Sequence, residues 1–394
     1  MLGEVLDVFP SSSFRLRSFV DCTLGAAGHS CAIIQAHPEL QTYIGLDVDP
    51  MAHEKAQSRI GDMLKSIPSC SNVNMKPHIL LRNFKEIKQV IGQVEEKLLL
   101  SGVDGILMDL GMSSMQVPYF HSIGAAWIGY LGSFKVNEVD DPGRGFSMLN
   151  NGPLDMRMDP KGVDNALVEN LIFSFLFLFD VCFTCHGQWQ GILKAEDILN
   201  SWPPAEVGRI LREYGEESNW YSLQIKIAKA RLGGGFHSTS DLVDLIRGKS
   251  AGVKGGRQGW IKTAARVFQA LRIAVNDELK TLENSLYSCF DCLSPGGRLA
   301  VISFHSLEDR IVKQTFLNII NNNIQITAEE EGGHGVEPRK FDDEPTTEKE
   351  AWIKQVVKGP SGIILTKRPI TASAEEEKLN SRCRSAKLRV IQKL

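Results

Sequence analysis

The chain has little of what would tie it to a membrane, to a disulfide framework or to bulk nucleic acid. Its block Leu171-Ile-Phe-Ser-Phe-Leu-Phe-Leu-Phe179 is apolar but nine residues long, well short of the ~20 that span a bilayer. Charge of one sign is not in excess. With 44 Lys and Arg against 47 Asp and Glu, a net charge of −3, any contact with a polyanion must come from a local basic patch. Eight cysteines are scattered rather than framed, which suits a reducing compartment. Two pairs show Cys-x-x-Cys spacing, Cys182/Cys185 and Cys289/Cys292, and Cys182-Phe-Thr-Cys185-His186 also matches a haem-attachment string. Zinc would need both pairs brought together, and the second sits in a Leu-rich helical segment that reads as core, so no metal is assigned. No signal or transit peptide is visible, because Met1 leads directly into Leu2-Gly-Glu-Val-Leu-Asp-Val-Phe9, which reads as a folded helix.

The dinucleotide signature Gly-x-Gly-x-x-Gly is missing as well, and what stands in its place organises the chain. From Ser18 to His29 a short apolar strand breaks into a turn of small residues, Gly25, Ala26, Ala27 and Gly28, and then into a helix. In a doubly wound α/β sheet this turn faces the crevice at the carboxyl ends of the strands, where a ligand can touch the backbone and the helix's first N–H groups. A second strand, Thr42 to Asp49, ends in two acids, and Asp47 is the better placed to hydrogen-bond ribose hydroxyls. Ala27 occupies the place of the glycine that admits a pyrophosphate. The pair therefore reads as a cleft for a phosphate-free nucleoside cofactor, as S-adenosylmethionine is.

With 394 residues and 43% apolar content, the chain can bury a substantial core and form two to three domains or one domain with large insertions. Pro50 opens a helix, and a strand from His78 to Phe84 ends in an aromatic ring that either covers an adenine or packs in the core. A helix from Lys85 to Leu100 leads to a fourth strand beginning at Val103 and carrying Asp109 at its carboxyl end, followed by Gly111, Ser113 and Ser114. Three βα units with short turns imply a parallel sheet. They put a carboxylate and two hydroxyls where a transferring methyl would be presented.

Between Asp140 and Pro160, Arg144, Asp155, Arg157 and Asp159 alternate among Gly and Pro, which reads as a substrate-facing loop. Lys194 to Arg231 is helical. The basic stretch Lys226, Lys229, Arg231, Arg247, Lys249, Lys254, Arg257, Lys262 and Arg266, near His237 and Trp260, fits phosphate contacts or solvated helix faces. Apolar spacing from Ala264 to Phe290 predicts one long helical segment packed on the sheet. A fifth strand from Leu293 to Phe304 delivers His305 to the edge that holds Asp109, as a substrate contact or as the residue opening the next helix. Two strands, Gly362–Ile370 and Ala386–Ile391, complete the sheet.

These motifs together resemble the MraW/RsmH family of small-subunit ribosomal RNA cytosine-N4 methyltransferases. The resemblance rests on Asp21-Cys-Thr-Leu-Gly-Ala-Ala-Gly-His-Ser30, Asp104-Gly-Ile-Leu-Met-Asp-Leu-Gly-Met-Ser-Ser114, Arg144-Gly-Phe-Ser147, Gly152-Pro-Leu-Asp-Met-Arg-Met-Asp-Pro160, Tyr214-Gly-Glu-Glu217, Phe268-Gln-Ala-Leu-Arg-Ile-Ala-Val-Asn276 and Pro295 to Arg310. It implies an α/β fold, a class I (Rossmann-like) methyltransferase sheet with an inserted helical domain, using S-adenosyl-L-methionine. The implied cofactor contacts are Ala27, Gly28, His29, Asp47, Phe84, Asp109 and Gln116, beside Gly25 of the turn. Ribosomal RNA in the small subunit is the implied partner, with no membrane; oligomeric state is left open. A bacterial source would place the protein in the cytoplasm and a eukaryotic one in a chloroplast or mitochondrion.

Cytosine N4 is a poor nucleophile because its lone pair is delocalised into the ring. The site must hold the amine in line and accept its hydrogen bonds. Many amino-methyltransferases do so with Asp/Asn/Ser-Pro-Pro-aromatic; here that slot is Asp109-Leu-Gly-Met112, so Asp109 with Ser113, Ser114 and His305 forms the expected catalytic set. Arg144, Asp155, Arg157 and Arg310 form the expected substrate set, with the base swung out of its stack. Ala27 stands where the family has glycine, and 118–139 and 161–193 read as insertions. The expected organisation is 1–117 and 264–394 for the sheet domain, 140–160 for the substrate loop and 194–263 for the helical domain. An assembly protein that has lost catalysis, or a small-molecule methyltransferase, are the competing readings.

Overall fold

The computed structural model describes residues 1–66, 75–110, 145, 151–157, 193–248, 256–330 and 350–394. Ser113, Ser114, Gln116, Arg144, Cys182 and Cys185 lie outside the described residues, as do 118–139 and 161–192 of the two expected insertions. The chain divides into two compact units, Met1–Gly111 with Leu279–Leu394, and Met112–Glu278.

The first unit is built on one sheet. Its strands are β1 (Ser18–Asp21), β2 (Thr42–Asp47), β3 (Lys76–Leu81), β4 (Val103–Asp109), β5 (Leu293–Ser303), β6 (Val357–Lys358), β7 (Gly362–Ile364), β8 (Ile370–Thr371) and β9 (Lys387–Lys393). They lie in the order β3-β2-β1-β4-β5-β9-β7-β6, with β8 also on β9. From β3 to β5 the pairing is parallel; β9 joins β5 antiparallel. Parallel strands are covered on both faces and so read as apolar runs. Side chains alternate between those faces. Phe19, Tyr43, Leu107, Ala300 and Ile302 pack one way with the helices Leu2–Val8, Gly28–Ala36 and Pro50–Ser66. Val20, Ile44, Leu46, Ile106, Met108, Leu299 and Val301 pack the other way with the helices Ile87–Val94, Glu278–Asp291 and Ser306–Glu330.

Three expected boundaries move. β3 stops at Leu81, because Asn83 accepts a hydrogen bond from Lys85 N and opens a one-turn helix at Phe84. Of the two expected closing strands, the second is the single strand β9, but the first is split into β7 and β8. Leu365 N still donates to Val390 O, but the Thr366 hydroxyl then accepts from Val390 N, and Pro369 has no N–H to continue a ladder. The single helix expected from Ala264 to Phe290 is broken at Asp277, whose φ of +45° cannot continue a helix. The pieces are Gly256–Asn276 and Glu278–Asp291. Val267, Leu271 and Val275 therefore bury into the second unit, only the later part, from Leu282 to Phe290, packs on the sheet, and the chain returns to the sheet unit at Leu279 rather than at 264.

The second unit is helical. Ala195–Ser201, Pro204–Glu213, Trp220–Arg231, Thr239–Arg247 and Gly256–Asn276 surround a core that includes Leu154, Ile198, Ile210, Leu242 and Leu271. Pro204 sits in the first turn of its helix, where its missing N–H costs nothing. Ser238 and Asp241 cap the next but one reciprocally. The short segment 151–157 is tied into this unit: Gly152 N donates to Thr239 Oγ1, Thr239 N to Gly152 O, and Asn276 Nδ2 to Met156 O.

Candidate active site

The parallel strands end together at one edge, and the strand order reverses direction between β1 and β4, where open α/β sheets bind ligands. After β1 the chain turns through Gly25 at φ +51° and Ala27 at φ +59°, and the helix Gly28–Ala36 begins. Asp47 closes the turn from the side. Its Oδ2 accepts from Gly25 N at 2.8 Å and its Oδ1 from Asp49 N at 2.9 Å, which leaves lone pairs on both oxygens for a ligand's hydroxyls. Burial raises its pKa above the usual carboxylate range. Asp49 turns away to the start of the next helix, where its Oδ1 accepts from Met51 N at 3.0 Å.

Asp109 ends β4 beside the turn. Its Oδ2 is 3.5 Å from His29 Nδ1, while its Oδ1 is shielded from solvent without a hydrogen-bond partner among the described residues. Burial, reinforced by the nearby charge of Asp21, raises its pKa to about 7. His29 moves the opposite way, to about 4, because burial disfavours the imidazolium.

Four residues not among the expected site residues complete the floor. Asp21 is 2% exposed; its Oδ2 accepts from the Ser30 hydroxyl, whose oxygen in turn accepts from Tyr43 OH at 2.6 Å. Asp21 Oδ1 accepts from Thr23 N at 3.0 Å, and the Thr23 hydroxyl accepts from Asp109 N at 2.6 Å. Burial outweighs these hydrogen bonds and lifts Asp21 to a pKa of about 6. A buried acid at a strand tip is visible in the sequence, but nothing there marks the hydroxyls as its partners.

The remaining expected residues fall as follows. Phe84 lies past β3, half-buried against the core face that holds Val90 and Ile91. His305 opens the helix Ser306–Glu330: Phe304 N and His305 N donate to Glu308 Oε2 at 2.9 and 3.4 Å, and Glu308 N points at His305 Nδ1 at 3.5 Å. Of its two readings, the helix opening is the one this geometry carries. Arg310 is exposed on the same helix. Arg157 is expected to meet phosphates, but its guanidinium grips Asp155 through Nε at 2.6 Å and Nη2 at 2.7 Å. The two are partners of each other within the helical unit. Of the basic stretch, Arg231 donates to the Leu199 carbonyl, Arg266 pairs with Glu217, and Arg247 stacks on Trp260, while Lys226 and Lys229 are exposed. Cys22, Cys289 and Cys292 are buried in one core cluster. Among the described residues no group of three or more His, Cys, Asp or Glu is placed to hold a metal, and no helix is long and apolar enough to cross a membrane.

The family model described as the MraW methylase family matches residues 1–120 and 186–334. The chain belongs to the MraW methylase family. Among its relatives, a ribosomal RNA small subunit methyltransferase H of Heliobacterium mobile is 35% identical over 396 residues, covering 100% of this chain and 97% of its own. The protein of that name from Geobacter sulfurreducens is 36% identical, over 95% of this chain and 92% of its own. That from Protochlamydia amoebophila is 34% identical, over 100% and 96%. The turn, Asp47 and Asp109 all lie within the matched residues of this MraW methylase; Asp155 and Arg157 lie outside them.

The residues present fit a nucleoside sulfonium donor. Asp47 offers acceptors for vicinal hydroxyls, the small-residue turn gives access to backbone, and Asp109 has a shielded carboxylate oxygen lacking a partner among the described residues, which suits a cationic neighbour.

Proposed function

We propose that this MraW methylase transfers the methyl group of S-adenosylmethionine to N4 of a cytidine in small-subunit ribosomal RNA. The observation that carries the reading is Asp109, a half-buried carboxylate at the β1/β4 switch with one shielded oxygen unpartnered among the described residues, in a chain similar over its whole length to a ribosomal RNA small subunit methyltransferase H. The donor, when bound, supplies an electrophilic methyl whose C–S electron pair leaves with sulfur as N4 forms the new N–C bond and gives up a proton. Asp47 holds ribose hydroxyls, and the turn from Gly25 to Gly28 lies along the donor. Asp109 accepts from the amine, localising its lone pair. With a pKa of about 7, it is a stronger base at neutral pH than an ordinary carboxylate.

The RNA is held by the helical unit. The helix Trp220–Arg231 carries three cations and no acid, with Lys226, Lys229 and Tyr221 exposed, and Arg212 stacks on Trp220 at 5.3 Å. Cations interleaved with aromatic rings suit phosphates and unstacked bases. Residues 118–139 and 161–193 are insertions whose loop-closure cost is small, but which reduce turnover by loosening the substrate loop. Transfer of labelled methyl to a small-subunit rRNA fragment, mapped by nuclease, tests the function; a chain lacking both blocks should turn over faster. Labelling of small amines but not RNA would overturn the reading, and RNA binding without labelling would favour the assembly protein.

A further inference from the structure

Asp47 is held by the turn of the cleft, whereas Asp21 and the Asp109 main chain are held by a chain of hydrogen bonds that includes side chains outside it. β1 and β4 run parallel in the register Phe19↔Gly105 to Asp21↔Leu107, and the ladder continues one step further with Cys22 N donating to Leu107 O. Another step would offer Asp109 N a main-chain carbonyl. The acceptor found there is the Thr23 hydroxyl, at 2.6 Å. The strands can therefore part at this point while Asp109 stays anchored, which opens the crevice without leaving a buried N–H unpaired.

Thr23 faces both ways. Its own N–H donates to Asp21 Oδ1 at 3.0 Å, and Asp21 is held from behind by Ser30 and the fully buried Tyr43. The result is a continuous run of hydrogen bonds, Tyr43 to Ser30 to Asp21 to Thr23 to the Asp109 main chain. It crosses three adjacent strands beneath the turn that begins at Gly25. Each link joins one donor to one acceptor, so its members fix one another's rotamers.

We infer that Thr23 is the positioning residue of the donor cleft: its hydroxyl fixes the Asp109 main chain and its own main-chain N–H fixes the Asp21 carboxylate, so that one residue aligns the acids that end β1 and β4. The inference rests on the proposed function for the identity of the donor. Thr23 does not touch the reacting atoms; it acts through Asp109.

The experiment is calorimetry of S-adenosylhomocysteine and S-adenosylmethionine on the full chain with Thr23→Val, Thr23→Ala and Thr23→Ser, beside single-turnover methyl transfer to the rRNA fragment. Val and Ala lack the hydroxyl and should each bind about tenfold or more weakly, whereas Ser should restore affinity to within about threefold. Transfer should fall further than affinity in Val and Ala, because misalignment of ~1 Å costs on the order of 100-fold. Two hydroxyl-free variants guard against one that fails to fold. Unchanged affinity in either folded variant overturns the inference, as does an equal loss in Ser. So does a lower melting temperature with unchanged affinity, the mark of a merely structural hydroxyl. Wild-type protein that binds donor but labels no RNA would instead overturn the proposed function, while the calorimetry still decides the role of Thr23.

Discussion

His29 Nδ1 lies 3.5 Å from Asp109 Oδ2, yet burial moves the two groups' titrations apart, to about 4 and about 7, so that between those values neither carries charge. The contact is no ion pair at neutral pH. The charge that Asp109 acquires above its pKa is left for something else.

A sulfonium is cationic and its demethylated product is not. Asp109 is protonated below about pH 7 and ionised above it, so S-adenosylmethionine affinity should rise up to tenfold per unit as pH approaches 7 from below, then level off. S-adenosylhomocysteine affinity should stay nearly flat, and Asp109→Asn should remove the difference. Calorimetry across pH 5.5 to 8.5 checks this; parallel profiles for the two ligands would sink it.

Asp21 makes stability depend on pH in the opposite sense. Its folded-state pKa of about 6 lies above the ordinary 3.8, so the folded protein binds the proton more tightly and the contribution is fully present below the unfolded value. It is lost as pH rises through about 6, by on the order of 3 kcal/mol at most. Asp109 adds to the same trend up to about pH 7. His29, whose pKa is lowered to about 4, opposes this as pH falls below 6.5, so the change in urea midpoint from pH 4.5 to pH 7 should be more favourable in Asp21→Asn than in the wild-type protein.

Asp47→Ala should weaken donor binding by ~1–3 kcal/mol, the cost of leaving hydroxyls and the Gly25 N–H without their acceptor. Unchanged affinity would remove Asp47 from the donor site.

Ala27 carries a side chain at φ +59°, a conformation that suits glycine. Ala27→Gly relieves that strain but gains unfolded-state entropy, so a rise in stability of up to ~1 kcal/mol is expected. Thermal or urea melts measure it, and a clear loss would mean that the Ala27 methyl packs more than it strains.

Arg157→Ala should destabilise the helical unit by about 1–3 kcal/mol, since it strips a partly buried Asp155 of its bidentate partner. The salt dependence of RNA affinity should be unaltered. Were Arg157 a phosphate contact, the slope of log affinity against log salt would fall by roughly one.

Strand-end acids were legible because parallel strands are apolar runs that stop abruptly: Asp47 and Asp109 could be placed by counting from Thr42 and Val103. The Asp155–Arg157 fork was not. Residues two apart share a face in a strand, but this segment is not one: the fork forms with Met156 between its members at φ +61°, which no pattern announces. The break at Asp277 was equally silent, because apolar spacing runs across it from Val267 to Leu286 without a glycine or proline. Thr23, Ser30 and Tyr43 are ordinary turn, helix and strand residues. Their partnership depends on a register that only the paired sheet supplies.

The pairing of β4 with β5 also bears on how the chain folds. These neighbours at the centre of the sheet are separated by about 180 residues, a stretch that contains the whole second unit. Closing so long a loop of unstructured chain is slow, and a central strand left waiting exposes an unpaired edge. If the helical unit condenses first, it shortens the effective loop. Refolding should then show two phases, with the helical signal leading and the sheet following, and a mutation in the helical core should slow the later phase as well as the earlier one.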